Sequence, residues 1–208
     1  MTAVRYNHTN SSTKIVKLLL DAGADVNLRN KDGWAALMMA VRYNYENYNL
    51  EAIKLLLNAG ADVNLRNKKG WTALMMTARY SNTDSNVETL KLLLDAGAYV
   101  NLQNKKRMTT LMLATEFSDT ESNLETVRLL LDAGAYINIH DENGLSVLMI
   151  AVGKSNTHSN VETVKLLLNA GAYINIQNEN GSSPLMMAAR HSNTDSNPET
   201  VKLLLDTG

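Results

Sequence analysis

TLKLLLDAGAYVN, Thr89–Asn101, decides the fold, because it returns as TVKLLLNAGAYIN at Thr163–Asn175. The leucine triplet at its centre recurs at Leu18–Leu20, Leu55–Leu57, Leu92–Leu94, Leu129–Leu131, Leu166–Leu168 and Leu203–Leu205, each copy 37 residues after the last. The glycine that follows keeps the same step, at Gly23, Gly60, Gly97, Gly134, Gly171 and Gly208. A second landmark, Gly-x-x-x-Leu-Met, opens at Gly33, Gly70, Gly144 and Gly181, and its in-register copy at Arg107 has lost the glycine. No insertion or deletion breaks the period. Every copy is therefore expected to occupy an equivalent place in space, as in stacked supersecondary units.

One unit can be read from its residues. Ala73, Leu74, Met75, Thr77 and Ala78 form a short apolar run of helix formers with small residues interleaved, which predicts a first helix. The polar hexapeptide SNTDSN, Ser81–Asn86, interrupts it. A second helix follows, whose Val87, Leu90, Leu93 and Leu94 fall at helical spacing and are expected to be its buried face. Gly97 stands where a left-handed residue closes that helix. Ala98–Leu102 alternates briefly, and the turn beyond it ends in glycine in four of five copies, with Asp32-Gly33, Asn143-Gly144 and Asn180-Gly181 as hairpin dipeptides. The unit is helix, polar loop, helix, hairpin. The chain is one domain, 1–208, with units of about 1–32 (partial), 33–69, 70–106, 107–143, 144–180 and 181–208 (partial). At Lys105-Lys106-Arg107-Met108 an arginine replaces the turn glycine. A left-handed arginine costs about 1 kcal/mol, so the earliest local opening is expected there.

SNTDSN returns unchanged at Ser192–Asn197 and, altered, as SDTESN at Ser118–Asn123 and SNTHSN at Ser155–Asn160. A calcium loop needs closely spaced carboxylates. Its aligned position reads Asn47, Asp84, Glu121, His158 and Asp195, and a site that accepts asparagine and histidine does not hold a hard cation. A helix start fits better. Ser85-Asn86-Val87-Glu88, Ser122-Asn123-Leu124-Glu125 and Ser159-Asn160-Val161-Glu162 match the capping box, and Pro198 favours Asn197 as the cap of the last copy. Contact with a partner can coexist with that role.

The bulk properties bound the function. Twenty basic and 21 acidic residues give a net charge of −1, without the overall basic balance of a nucleic-acid binder. There is no cysteine, which excludes disulfides and thiolate metal sites and suits an intracellular, cytoplasmic protein. No apolar run approaches the roughly 20 residues of a membrane span, and the N-terminus has no signal-peptide core. His8, His140, His158 and His191 occupy different positions of the unit and are not spaced as ligands. There is no Gly-x-Ser-x-Gly elbow and no phosphate-cradling glycine loop. The methionine columns stand at core spacing. The expectation is no catalysis, no cofactor and no metal.

The runs quoted above, together with Gly-Trp-Thr-Ala-Leu-Met-Met at Gly70–Met76, resemble the ankyrin repeat along the whole chain. The resemblance implies an all-α solenoid of stacked helix-loop-helix units joined by short β-hairpins. That family's unit usually has 33 residues, so each unit here is four longer, at the hexapeptide. The histidine of the family's helix motif is Met38, Met75, Met112, Met149 and Met186 here, which removes its loop-bracing hydrogen bond. The 37-residue unit and SNT-type loops are also similar to ankyrin arrays of large DNA viruses of amoebae, which would place the protein in host cytoplasm.

The resemblance implies a monomeric scaffold that binds a protein partner through its concave face, with no role for nucleic acid or membrane. It implies contacts at the residue after the turn glycine and at the end of the first helix. Carried over residue by residue, these are Trp34, Trp71 and Met108, with Arg42, Tyr43, Arg79, Tyr80 and Phe117. Tryptophan, tyrosine and arginine are enriched at binding hot spots. Duplication alone could also have copied them, and their rings could simply pack within the stack. Tyr99, Tyr136 and Tyr173 replace Asp25 and Asp62 at a hairpin position, so the two halves present different surfaces. Asn27, Asn64, Asn101, Asn138 and Asn175 align with the hairpin asparagine that cellular hydroxylases modify in the family, and a structural role is expected first. The array opens inside a unit at Met1 and stops at Gly208, without polar capping units. That is expected of fraying ends or of a longer protein, such as a substrate-receptor or anchoring chain of the ubiquitin-ligase adaptor kind.

Overall fold

A computed structural model describes residues 10–44, 49–79, 84–116, 121–154, 158–190 and 197–207. Among them are eleven helices: α1 (Asn10–Asp21), α2 (Ala36–Arg42), α3 (Leu50–Asn58), α4 (Ala73–Arg79), α5 (Asp84–Asp95), α6 (Thr110–Glu116), α7 (Glu121–Asp132), α8 (Val147–Gly153), α9 (His158–Asn169), α10 (Pro184–Arg190) and α11 (Asn197–Thr207). The chain divides into two compact units, residues 1–99 with α1–α5 and residues 100–208 with α6–α11.

The first helix of each repeat is two turns long, too short to persist without packing. A hydroxyl starts most of them. Thr72 Oγ1 accepts the Met75 N–H at 3.2 Å, and Thr109, Ser146 and Ser183 accept the equivalent N–H groups at 3.3 Å. In α2 the cap position is Ala35, which offers no side-chain acceptor. Apolar residues all round such a helix bury it on every side. In α4 every residue from Ala73 to Ala78 is buried, and α4 packs against α2 and α5. In the other unit α8 packs against α6, α9 and α10 and is buried from Val147 to Val152. Met38, Met75, Met112 and Met149 are core residues, as expected, whereas Met186 is 57% exposed.

The second helix differs from expectation in its buried face. Asn86, Thr89, Leu90 and Leu93 are buried in α5, while Val87 and Leu94 are only half-buried. The stripe runs i, i+3, i+4, i+7, so it enters on two polar residues. Asn123, Thr126, Val127 and Leu130 repeat it in α7, and Asn160, Thr163, Val164 and Leu167 in α9; in these two helices Leu124 and Val161, at the position of Val87, are buried as well. In five of the six leucine triplets only the middle member reaches the core, as Leu56 and Leu93 do in one unit and Leu130, Leu167 and Leu204 in the other, whereas in the first triplet Leu19 is 47% exposed. At the C-terminus of α5, Gly97 takes φ +83°, and its N–H and that of Ala98 donate to the carbonyls of Leu94 and Leu93, closing the helix.

The buried asparagine explains the recurring polar loop. Asn49 Nδ2 donates to the Tyr43 carbonyl at 2.6 Å, and Asn160 Nδ2 donates in the same way to the Lys154 carbonyl. The last residue of the connector thus ties the start of one helix to the unpaired carbonyl end of the previous one. The capping-box register is corrected. α5, α7 and α9 begin at Asp84, Glu121 and His158, so Ser85, Ser122 and Ser159 already lie in the first turn. The position before each of these helices lies outside the described residues, as do the first three residues of these hexapeptides and also Asn47 and Asp195.

Among the described residues the hairpins contain no strand, only an isolated bridge between His140 and Ser146. Backbone bonds, such as that from the Asn67 N–H to the Trp71 carbonyl at 2.9 Å, and side chains together hold them closed. Asn67 Oδ1 accepts the N–H groups of Lys69 and Trp71 at 2.9 and 3.0 Å, and Asp141 Oδ1 accepts those of Asn143 and Leu145, both at 2.9 Å. Asn30, Asn104 and Asn178 do the same in their own copies. Arg107 takes φ +57°, the one non-glycine residue with positive φ among those described.

Candidate interaction surface

Successive repeats are joined beside the hairpins by an asparagine at each step. Asn64 Nδ2 donates to the Gly97 carbonyl at 3.1 Å while its Oδ1 accepts the Tyr99 N–H at 2.7 Å. Asn27 makes the same pair of bonds to Gly60 and Asp62, Asn101 to Gly134 and Tyr136, and Asn138 to Gly171 and Tyr173. The structural role expected of this asparagine is what the geometry shows at these four positions, while Gly208, the corresponding partner of Asn175, lies outside the described residues. Each bond spans one repeat, so it fixes the spacing of whatever the hairpin tips display. The backbone adds a further link, from the Lys68 N–H to the Asp32 carbonyl at 2.9 Å.

On that frame the unit of residues 1–99 carries most of the expected contact residues. Trp34 and Trp71 follow their turn glycines, and Arg42 and Arg79 end α2 and α4. The Arg42 guanidinium lies 5.1 Å from the centre of the Trp34 ring and 5.8 Å from that of Tyr43, and Arg79 lies 5.6 Å from Trp71. A guanidinium over an indole face is attracted by the ring quadrupole and keeps its planar fork oriented. All five side chains are half-buried. The stripe therefore satisfies itself partly within the repeat, as the packing alternative allowed, while keeping surface exposed.

The stacked pair is confined to that unit. In residues 100–208 the corresponding positions hold Met108 with Glu116, Leu145 with Gly153, and Ser182 with Arg190. Met108 is half-buried and its N–H is held by Asn104. Tyr80 and Phe117 lie outside the described residues, as do Arg5 and Tyr6. Tyr99, Tyr136 and Tyr173 are exposed side chains.

Reading by residue type overlooked the charge of the hairpin windows. LRNKDGW (28–34) and LRNKKGW (65–71) carry Arg29, Lys31, Arg66, Lys68 and Lys69, all exposed, against Asp32. Arg29 is fixed by donating to the carbonyls of Gly33 at 3.2 Å and Arg66 at 2.7 Å. IHDENGL (139–145) and IQNENGS (176–182) carry Asp141, Glu142 and Glu179, without lysine or arginine. Aligning the windows at the repeat period would have shown the change of sign, which comes after LQNKKRM (102–108) with its exposed Lys105, Lys106 and Arg107.

The second helices bear a separate ladder of opposite charges. Lys54 lies 3.5 Å from Glu88, and Lys165 Nζ lies 2.8 Å from Glu162 and 2.9 Å from Glu199. Hydrogen bonds to Glu162 first and Glu199 second hold the Lys165 amine above the usual lysine range. Among the described residues, no group of three or more histidines, aspartates or glutamates is placed to hold a metal ion. No helix is long and apolar enough to cross a membrane.

Repeats of two antiparallel helices, stacked through alanine and methionine and braced at their hairpins, define a helical repeat protein of the solenoid class. The family model for ankyrin repeats in three copies matches residues 45–141 and 111–208, and that for ankyrin repeats in many copies matches residues 3–49. The chain belongs to the ankyrin-repeat family. It is similar to the crystal structure of an ankyrin repeat domain from Acinetobacter baumannii AYE, at 29% identity and a TM-score of 0.83, over 100% of this chain and 96% of that one. No curated protein matches the sequence. Ankyrin repeats are in general protein–protein interaction modules.

Proposed function

We propose that the chain is an interaction scaffold that binds a protein partner through the hairpin tips and helix ends of residues 1–99. The observation that carries this reading is the repeated stack of Arg42 on Trp34 and Arg79 on Trp71, two anchors of the residue types that dominate binding hot spots. A half-buried ring is already held in place, so little side-chain freedom remains to be lost on binding. The test compares partner capture by the wild type and by Trp34→Ala/Trp71→Ala, alongside Arg42→Gln/Arg79→Gln, which spares the ring packing. Both pairs are expected to lose the partner, the arginine pair while retaining the wild-type unfolding midpoint and the tryptophan pair with a midpoint lowered by the lost ring burial. Capture that survives both pairs refutes the reading.

A further inference from the structure

We infer that the basic hairpin row of residues 1–99 docks an acidic segment of the partner protein. This rests on the scaffold reading and names the chemistry that the scaffold recognises.

The turn does not require these charges. Windows 65–71 and 139–145 close through a side-chain oxygen at the same position, Asn67 Oδ1 in one and Asp141 Oδ1 in the other, which accepts the same two backbone N–H groups, yet one carries Arg66, Lys68 and Lys69 and the other Glu142. Copying of one ancestral unit does not produce Lys68 in one window and Glu142 at the equivalent position of the other. Windows 28–34 and 65–71 together hold five basic residues and one acidic, a net charge of 5 − 1 = +4. Asp25 and Asp62 lie in the preceding turns, where each accepts a backbone N–H two residues on, and they lower this to +2. Arg42 and Arg79 restore it to +4.

The Arg29 guanidinium fastens one hairpin to the next by donating to the Arg66 carbonyl, so the charges keep a fixed spacing. Carboxylates suit this surface. A guanidinium laid over an indole presents a planar fork, which pairs with a carboxylate through two parallel hydrogen bonds. A nucleic acid suits it less. Binding to single strands uses aromatic faces for base stacking, and Arg42 and Arg79 cover the faces of Trp34 and Trp71 on which they lie.

The test titrates a fluorescein-labelled oligo-glutamate peptide with the whole chain, following anisotropy at low and at physiological ionic strength. The variant is Lys31→Glu/Lys68→Glu/Lys69→Glu. Glu142 and Glu179 occupy the positions of Lys31 and Lys68 in other repeats, so the fold accommodates such changes. Lys14→Glu/Lys17→Glu/Lys202→Glu alters net charge equally at exposed helix positions and serves as control. Binding is expected to weaken as salt rises and to fall about tenfold or more in the hairpin variant but not in the control. Absence of binding at low salt, equal loss in both variants, or tighter binding of a single-stranded oligonucleotide overturns the inference. If a partner is captured in a tryptophan-dependent way but is indifferent to the lysine reversal, this inference fails and the scaffold reading stands. If capture does not depend on the tryptophans, the scaffold reading fails, and the peptide titration still decides whether the row binds carboxylates.

Discussion

Arg107→Gly is expected to stabilise the protein. At φ +57° an arginine pays the left-handed penalty, about 1–2 kcal/mol. Glycine removes it but loses more backbone freedom on folding, about 0.5–1 kcal/mol. The net gain runs from about 0 to 1.5 kcal/mol and centres on ~0.75 kcal/mol, or roughly 2 °C in Tm for a chain of this length. The equivalent glycines show what the position tolerates. A Cβ on Gly33 would sit 2.9 Å from the Lys68 nitrogen, and one on Gly144 would sit 2.9 Å from the Glu179 nitrogen. Despite its side chain, the Arg107 repeat keeps the link to its successor, with the Glu142 N–H 3.0 Å from the Lys106 carbonyl. The strain is thus local, and a local probe reads it best. Hydrogen exchange should find the amides of Asn104–Thr109 less protected than those of Asp141–Ser146, and Arg107→Gly should remove the difference. The reverse substitution, Gly144→Ala, should cost about 2 kcal/mol by combining positive φ with the close approach. Uniform protection of the two hairpins in the wild type, or an Arg107→Gly variant no more stable than wild type, would refute the reasoning.

Ala35→Thr should gain about 1 kcal/mol in chemical denaturation, because it gives α2 the N-terminal acceptor that Thr72 and Thr109 supply to their helices. A neutral result would mean that the Ala35 site cannot orient a hydroxyl. Asn138→Ala removes two partly solvated bonds between repeats and should cost about 1–3 kcal/mol, with exchange of the Tyr173 amide accelerated most. Equal acceleration throughout residues 100–208 would argue against a local brace. The raised pKa of Lys165 means that its contribution is complete below the unfolded lysine value and is lost as pH rises through the higher folded one. Lys165→Met should therefore leave the pH dependence of stability near neutrality unchanged and alter it only in the alkaline limb.

The period, the helix order and the turn glycines were legible in the sequence because each repeats without interruption. Arg107 was legible for the same reason, standing out as the copy that breaks a rule kept by four glycines. The polar half of the second helix's buried face was not. Asn86 and Thr89 are polar by type, and only the structure shows the helix end whose carbonyls such an asparagine serves in Asn49 and Asn160. Val87 and Leu94 were overestimated because helical spacing gives the direction of a face but not its width. At the candidate surface, residue type found Trp34, Arg42, Trp71 and Arg79 but not their mutual stacking, which depends on how far the hairpin folds back toward the helix end. The sign of the hairpin charges was present in the letters. A whole-chain charge of −1 averages it away.

The methionine column has a chemical consequence. Met38, Met75, Met112 and Met149 are sealed in their helices, so a peroxide reaches their sulfurs only when a repeat opens. Sulfoxide is polar and bulkier, and a sulfur oxidised during such an opening resists being sealed in again. Oxidation would then accumulate as a record, residue by residue, of which repeats have breathed and how often.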